Sequence, residues 1–410
     1  MRSTGLGLFF GCVLFIVPGL LLAQEIETRG GVRFVHNGTH KEWGRTPKLS
    51  LDFLRTLGDP DSEDGNLLFY LPSDIAADLR QNAYVLDTGN HRIQKFDSQG
   101  RFQATLGRKG QGPWEFQFPQ SLDIGPDGLL YVSDPGNQAV HVLEPDGSLR
   151  RTVKMTEQTP GAIRVFAPER WAMGPSGIAV GFDPEAIASG EKPGKLVKIL
   201  DAEGHVRQEF GEPKDFGDPL LNWMGNRFHF TVDSQGHTYL AFDFQNRIEK
   251  YAPSGKLLWR ANRKLDYDIS TPRVKGRISG TRGRRAIALP EMNQCANGIT
   301  VDERGRVWVV TLNRQLKDEE RVNTSVRVSV VGGTRSMSYS VRGNTDVRTT
   351  DMYRLEVYSP EGVCLGHLPV THFVDGIRIS GDRLYLLDRM HGMQVYVYRI
   401  REKPENPIPE

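Results

Sequence analysis

Beyond residue 50 the chain is written in short runs that alternate apolar and polar residues, the period of half-buried strands, and no helical period is sustained after residue 24. One aromatic position keeps returning in these runs, at Tyr84, Tyr131, Trp171, Tyr239, Trp308 and Tyr385. Most of these aromatics follow a turn such as Pro126-Asp-Gly, Ser234-Gln-Gly, Glu303-Arg-Gly or Ser380-Gly-Asp. A second turn closes each unit: Ser98-Gln-Gly, Pro145-Asp-Gly, Ala202-Glu-Gly, Pro253-Ser-Gly and Pro360-Glu-Gly. Gly, Asp, Asn and Pro between alternating runs are hairpin signals, because they supply positive φ, a preset φ or local hydrogen bonds. Six aromatic anchors stand against five second turns, so the sixth unit, ending at 396–400, lacks its last strand. An orphan run at 51–58, before the first unit, has the pattern of that missing strand. The pattern predicts an all-β, six-bladed β-propeller over 48–400, its last blade closed by an N-terminal strand. Ring closure removes the open sheet edges that a solenoid or a sandwich would leave.

The clearest unit spans 84–119. Its loop Asp87-Thr-Gly-Asn-His-Arg-Ile-Gln, its glycine-rich exit Gly107-Arg-Lys-Gly-Gln-Gly-Pro-Trp-Glu-Phe-Gln-Phe-Pro and the following Ser121-Leu-Asp-Ile-Gly-Pro-Asp-Gly resemble NHL repeats. The resemblance is strong over 71–155, weaker at 243–248 and 388–398, and poor around 160–200. The whole is similar to exported bacterial six-bladed propellers of the NHL type, with an architecture also called TolB-like. That implies the fold and little about function, since such propellers serve as enzymes and as binding modules. Asp87, Asn90 and Arg92, echoed by Asp134 and Asn137, are expected to be scaffold, because a group needed for catalysis is needed once and these recur.

Composition changes the picture mainly at the ends. With 25% charged residues, 38% hydrophobic residues and a net charge of +2, the chain is globular without an overall field for nucleic acid. Residues 1–23 pair Arg2 with an apolar run over 6–22 and end at Ala23, the pattern of a cleaved signal peptide. The mature protein is then expected to be exported, periplasmic or secreted, monomeric and without a stable membrane span. Residues 24–47 form a polar leader expected to pack outside the propeller, and 401–410 a polar tail. Cys295 and Cys364, on an innermost and an outermost strand, are expected to stay unbridged. Asn37 and Asn323 fit glycosylation sequons that most bacteria leave unused.

Candidate chemistry is sparse. No nucleophile elbow, phosphate loop or metal-spaced histidine pair occurs. One enzyme of this fold, the peptidyl-hydroxyglycine amidating lyase, holds zinc through histidines near the channel. The positions comparable to its innermost-strand histidine are Ser73, Gln120, Phe228, Asn297 and Asp375, none of them histidine, and His229 is one residue out of phase. Lactonase-like propellers hold calcium on channel oxygens, and Gln120, Asn297 and Asp375 are the candidate ligands for such an ion. No cofactor is firmly implied.

Two departures from the repeat carry the functional expectation. The connection 262–294 holds Arg273, Lys275, Arg277, Arg282, Arg284 and Arg285, a cluster suited to an anionic ligand. The insertion 313–351 interrupts the fifth unit, and its two alternating runs around Gly332-Gly-Thr predict a β-hairpin. Trp114 is an aromatic in the first exit loop that could also meet a ligand. The reading is a binding or scaffold propeller that engages a protein or glycan partner, not nucleic acid, through its long-loop face. The alternative is a metal-dependent lyase or hydrolase, such as a lactonase, using calcium or zinc at the channel mouth.

Overall fold

The computed structural model describes residues 24–39, 41–44, 46–154, 163–166, 177–181, 194–271, 277–281, 284–288, 291–331 and 334–403. The signal-peptide reading at 1–23, the anchor Trp171 and most of the polar tail therefore lie outside the described residues. Six radial sheets form a closed propeller, as the repeat predicts. Blade one comprises Asp74–Ala77, Ala83–Asp87, Arg92–Phe96 and Phe102–Leu106, antiparallel throughout and numbered here from the axis outward. Blades two, three and five repeat that four-strand order. In blade six the outermost strand is the N-terminal Leu49–Leu57, paired with Gln394–Glu402 from Leu49↔Glu402 to Leu57↔Val395.

The repeated aromatic explains why each unit folds alike. Tyr84, Tyr131, Tyr239, Trp308 and Tyr385 are all at most 1% exposed, and each belongs to the apolar layer between its own blade and the next. A buried Tyr or Trp needs a partner for its polar tip. The carboxylate of the first turn supplies it: Tyr131 Oη donates to Asp127 at 2.8 Å, Tyr239 Oη to Asp233 at 3.0 Å and Trp308 Nε1 to Asp302 at 2.9 Å. Asp302 also accepts from the backbone N–H groups of Arg304 and Arg306, so one side chain shapes the turn and anchors the layer. The core is therefore a ring of six interblade layers.

The DxGN loops are scaffold as expected. Asp87, fully buried, accepts from the Tyr70 N–H at 2.7 Å, Asn90 Nδ2 at 2.9 Å and Arg92 Nε at 2.8 Å. Asp134 accepts from the Gln117 and Phe118 N–H groups, both at 2.8 Å. Each loop carboxylate thus clamps the chain arriving at its blade. In the exit loop of blade one, Gly107 sits at φ +81° with Phe116 against it, and a Cβ there would lie 2.3 Å from the ring. Phe116 is fully buried, whereas Trp114 is 53% exposed.

The leader does more than lie on the surface. Glu25–Arg29 and Val32–Asn37 form a hairpin whose second strand joins Leu257–Arg263 in parallel, extending blade four to six strands. The segment then crosses blade five, where the Trp43 N–H donates to Leu365 O at 2.8 Å, before entering blade six. One chain end thus ties three consecutive blades.

Asn37 is the rivet of that strap. It is 2% exposed; its Nδ2 donates to Asn262 O and Gly362 O, both at 3.1 Å, and its Oδ1 accepts from the Cys364 N–H at 2.8 Å. A glycan on Nδ2 is incompatible with these bonds in the folded protein. Asn37→Ala is expected to cost about 2 kcal/mol, because it orphans buried backbone groups on two blades. Thermal denaturation of the variant would check it, and an unchanged midpoint would contradict the account.

Candidate binding face and axial channel

The six innermost strands bring polar side chains together at the axis. Asp74 of blade one accepts from Ser121 Oγ of blade two at 2.8 Å and from Arg164 of blade three at 3.0 Å. Its other oxygen meets Arg378 of blade six at 3.4 Å, and Arg378 reaches Asp123 at 3.5 Å. Side chains from four blades therefore close the channel with two arginines and two aspartates, each only 12–15% exposed. Burial pushes the Asp74 carboxyl up, but Arg164 and Arg378 outweigh it and hold it below its ordinary value. Below this plug, on the face of the tight turns, a cavity of about 740 Å³ is lined by Ala77, Ile124, Val232 and the turn residues Asp78, Pro126 and Asp233.

None of the plug residues was a candidate from the sequence. One signal was available: Asp123 pairs with the anchor Tyr131, and Arg378 with the anchor Tyr385, so both occupy the same repeat position. Aligning the units on the aromatic would have set an acid and a base at equivalent places on one ring.

Of the residues proposed as oxygen ligands, the structure brings two together. Asn297 Nδ2 donates to Val374 O and lies 3.5 Å from Asp375 Oδ1, while Asn297 Oδ1 accepts from Gln294 Nε2 at 3.0 Å. Asp375 Oδ2 accepts from the Arg389 N–H at 2.8 Å. As arranged, Asn297 turns its amide nitrogen toward the carboxylate, so a shared cation would require that amide to turn over. Gln120 holds the position in blade two that Asp375 holds in blade six: its N–H donates to Ser133 O at 2.8 Å, as the Asp375 N–H donates to Leu387 O at 2.7 Å. Among the described residues, the one group of three acidic or imidazole side chains close enough for a metal is Asp201, Glu203 and His205, on a tight turn of blade three. There Asp201 is already occupied by the Glu203 and His205 N–H groups.

Beside Asp375 stands a second carboxylate. Asp388 is fully buried; burial, with the Asp375 charge adding to it, pushes its carboxyl from 3.8 up to about 7, against three backbone N–H donors that favour the anion. Between those two values the folded protein holds a proton that the unfolded chain has released. Stability therefore falls as pH rises from about 4 to about 7 and levels off above. Asp388→Asn removes the titration, and its melting temperature is expected to lose this component of the decline across pH 4–8. Parallel profiles for the two proteins would overturn the assignment.

The long-loop face is built on blade five. The connection into it forms a two-stranded ribbon, Arg277–Thr281 with Arg284–Ala288, that the sequence had left as a charged loop. Arg277, Arg284 and Arg285 are on its strands, while Arg273, Lys275 and Arg282 lie outside the described residues. The insertion forms the expected hairpin, Val322–Val331 with Thr334–Gly343, in ten unbroken pairs from Val322↔Gly343 to Val331↔Thr334. Neither ribbon joins a blade sheet. Their bases are bonded to each other: the Gln294 N–H donates to Gln315 Oε1 at 2.8 Å, and Gln315 Nε2 donates to Gln294 O at 3.0 Å.

The second ribbon is pinned where it leaves the blade. Arg314 donates to both oxygens of Glu320, at 2.7 and 2.6 Å, and to Asp351 at 2.7 Å. Glu320 also accepts from the Lys317 N–H and from Thr350 Oγ1. These bonds, the Arg314 fork foremost, hold its carboxyl down at about 2. His391 Nε2 donates to Glu320 O at 2.8 Å and stacks on Phe373 with ring centres 3.5 Å apart. A cleft of about 500 Å³ lies here, lined by Arg314, Lys317, Glu320 and Tyr353.

The NHL repeat family matches residues 69–96, which include the first three strands of blade one. NHL repeat-containing protein 3 of Mus musculus is 27% identical over 129 residues, covering 29% of this chain and 36% of that relative's length. A Bacteroides fragilis protein assigned as exported superposes with a TM-score of 0.52 at 10% identity, covering 90% of this chain and all of the other. A member of the DUF4221 family from Bacteroides vulgatus gives 0.50 at 11%, covering 86% and 99%. At these identities the superpositions speak for the fold alone. The repeat match, the interblade anchors and the six closed sheets converge: the chain folds as a six-bladed β-propeller and carries an NHL repeat in its first blade.

Proposed function

We propose that this chain is a binding propeller that engages a protein or glycan partner through the two ribbons of blade five, in an exported setting suggested by the apolar run over 6–22. One observation carries the reading: two ribbons outside every blade sheet, one preceding blade five and one interrupting it, are tied together through Gln294 and Gln315 in the segments beside that blade. Elsewhere the polar loops are consumed by the scaffold, as the carboxylate clamps of blades one and two illustrate. Long segments kept in a compact domain without serving its core usually serve an interaction.

A photo-crosslinking residue placed at the exposed Ser340 of the second ribbon, in cells expressing the full chain, is expected to trap a discrete adduct. The same residue at the exposed Gln99, in a turn of blade one, is expected to trap none. Adducts from both positions, or from neither, would overturn the proposal.

A further inference from the structure

We infer that the second ribbon takes its partner by strand addition, and that the added strand is an extended segment alternating acidic and apolar residues; this rests on the binding reading above. Three observations converge on that chemistry. The ribbon is a ten-pair ladder to which no third strand is paired among the described residues, and each strand of such a ladder has an outer edge of backbone donors and acceptors. A two-stranded ladder is marginal in water, and a third strand is the usual remedy. This protein already uses that remedy once, where Val32–Asn37 adds to the outer edge of blade four.

The register supplies the second observation. Val326, Val328 and Val330 stand opposite Tyr339, Met337 and Arg335 on one face, while Ser and Arg fill most of the alternate positions. A strand added in register must share that alternation, with apolar residues continuing one face and polar residues the other.

Charge supplies the third. Residues 269–290 and 322–345 together hold nine Lys and Arg and no Asp or Glu. With the whole chain at +2, the remainder carries −7. The basic excess is thus concentrated in the two sequence segments that contain the ribbons, and an acidic strand meets it without like-charge repulsion. A purely anionic chain would satisfy the charge but offer no apolar residues to the alternating apolar positions of the register.

The test uses the full chain and fluorescein-labelled decapeptides: alternating Glu-Val, alternating Lys-Val, decaglutamate, and Glu-Val interrupted by a central proline. Glu-Val is expected to raise the anisotropy saturably, with an affinity at least about tenfold above each of the other three. Protection from hydrogen exchange is expected over 322–343. A variant joining Arg321 to Asn344 by Gly-Gly, which the direct pairing of Val322 with Gly343 permits, should lose binding while keeping its melting temperature. Ser329→Pro, which removes a ribbon N–H, provides a second variant should the deletion misfold, and it too should weaken binding.

Equal binding of decaglutamate would overturn strand addition in favour of charge alone. Binding of anionic phosphatidylglycerol vesicles without peptide binding would assign the ribbon to a membrane surface instead. Absence of peptide binding while crosslinks from Ser340 persist would sink the strand-addition inference and leave the binding reading standing. Absence of both would remove both.

Discussion

Arg378→Ala is expected to destabilise the protein by about 3–5 kcal/mol, the largest effect of any single substitution considered for this molecule. Arg378 is one of two cations facing Asp74 and Asp123 at the axis. Its removal leaves Asp74 and Asp123, each 14% exposed, to share Arg164 as the remaining arginine of the set. With two buried carboxylates facing one arginine, the excess negative charge must be met by a proton or by water drawn into the ring. Arg378→Lys keeps the charge and loses the fork, because Arg378 also donates to Ile75 O and Leu122 O. An intermediate loss is expected for it. Replacing the whole set together (Asp74→Asn, Asp123→Asn, Arg164→Met, Arg378→Met) should cost less than Arg378→Ala, because no charge remains unpaired. Denaturant unfolding of the three variants checks the ranking. Equal stability of Arg378→Ala and the parent would show that the plug contributes nothing to closure.

The second large effect is expected at the ribbon base. Glu320→Ala removes the acceptor of the Arg314 fork, of the Lys317 N–H and of Thr350 Oγ1 in one step. A loss of about 2–3 kcal/mol is expected, with faster hydrogen exchange over 313–321. The pH dependence has a definite sign. The Glu320 carboxyl is held down at about 2 against an ordinary 4.5, so its stabilisation is complete above about 4.5 and is lost as pH falls toward 2. Glu320→Ala should therefore narrow the stability gap to the parent in acid, opposite in direction to the decline attributed to Asp388. Glu320→Gln keeps the size and one acceptor oxygen and should fall between the two proteins. An unchanged exchange rate at 313–321 in Glu320→Ala would mean that the ribbon is anchored by other contacts.

These two sites differ in how far they could be foreseen. The hairpin at 322–343 was evident from its alternating runs and glycine tip, since strand period and turn chemistry are local properties. The ribbon at 277–288 was not. Its Arg-rich strands, RISGT and RRAIA, are short and carry few β-branched residues, and pairing with each other makes them extended. Position in the repeat pointed to Gln120 and Asp375, whereas the axial plug uses Ser121, Asp123 and Arg378, one to three residues further along the same segments. Gln120 directly precedes Ser121, and in a strand one step changes the face.

Local pattern alone was enough to determine the closed ring, the borrowed strand at 49–57, the scaffold role of the DxGN loops and the inserted hairpin. Each depends on residues near one another in sequence, on a repeat that can be counted, or on a strand that one unit visibly lacks. The axial plug, the strap from blade four to blade six and the joined bases of the ribbons were decided by tertiary structure. Asp74 meets Arg164 and Arg378 across 90 and 304 residues of chain, and Asn37 meets Cys364 across 327. No local preference encodes such partners. They arise because closing six sheets into a ring forces distant polar groups into one low-dielectric space, where each must find an opposite charge or a hydrogen-bond partner.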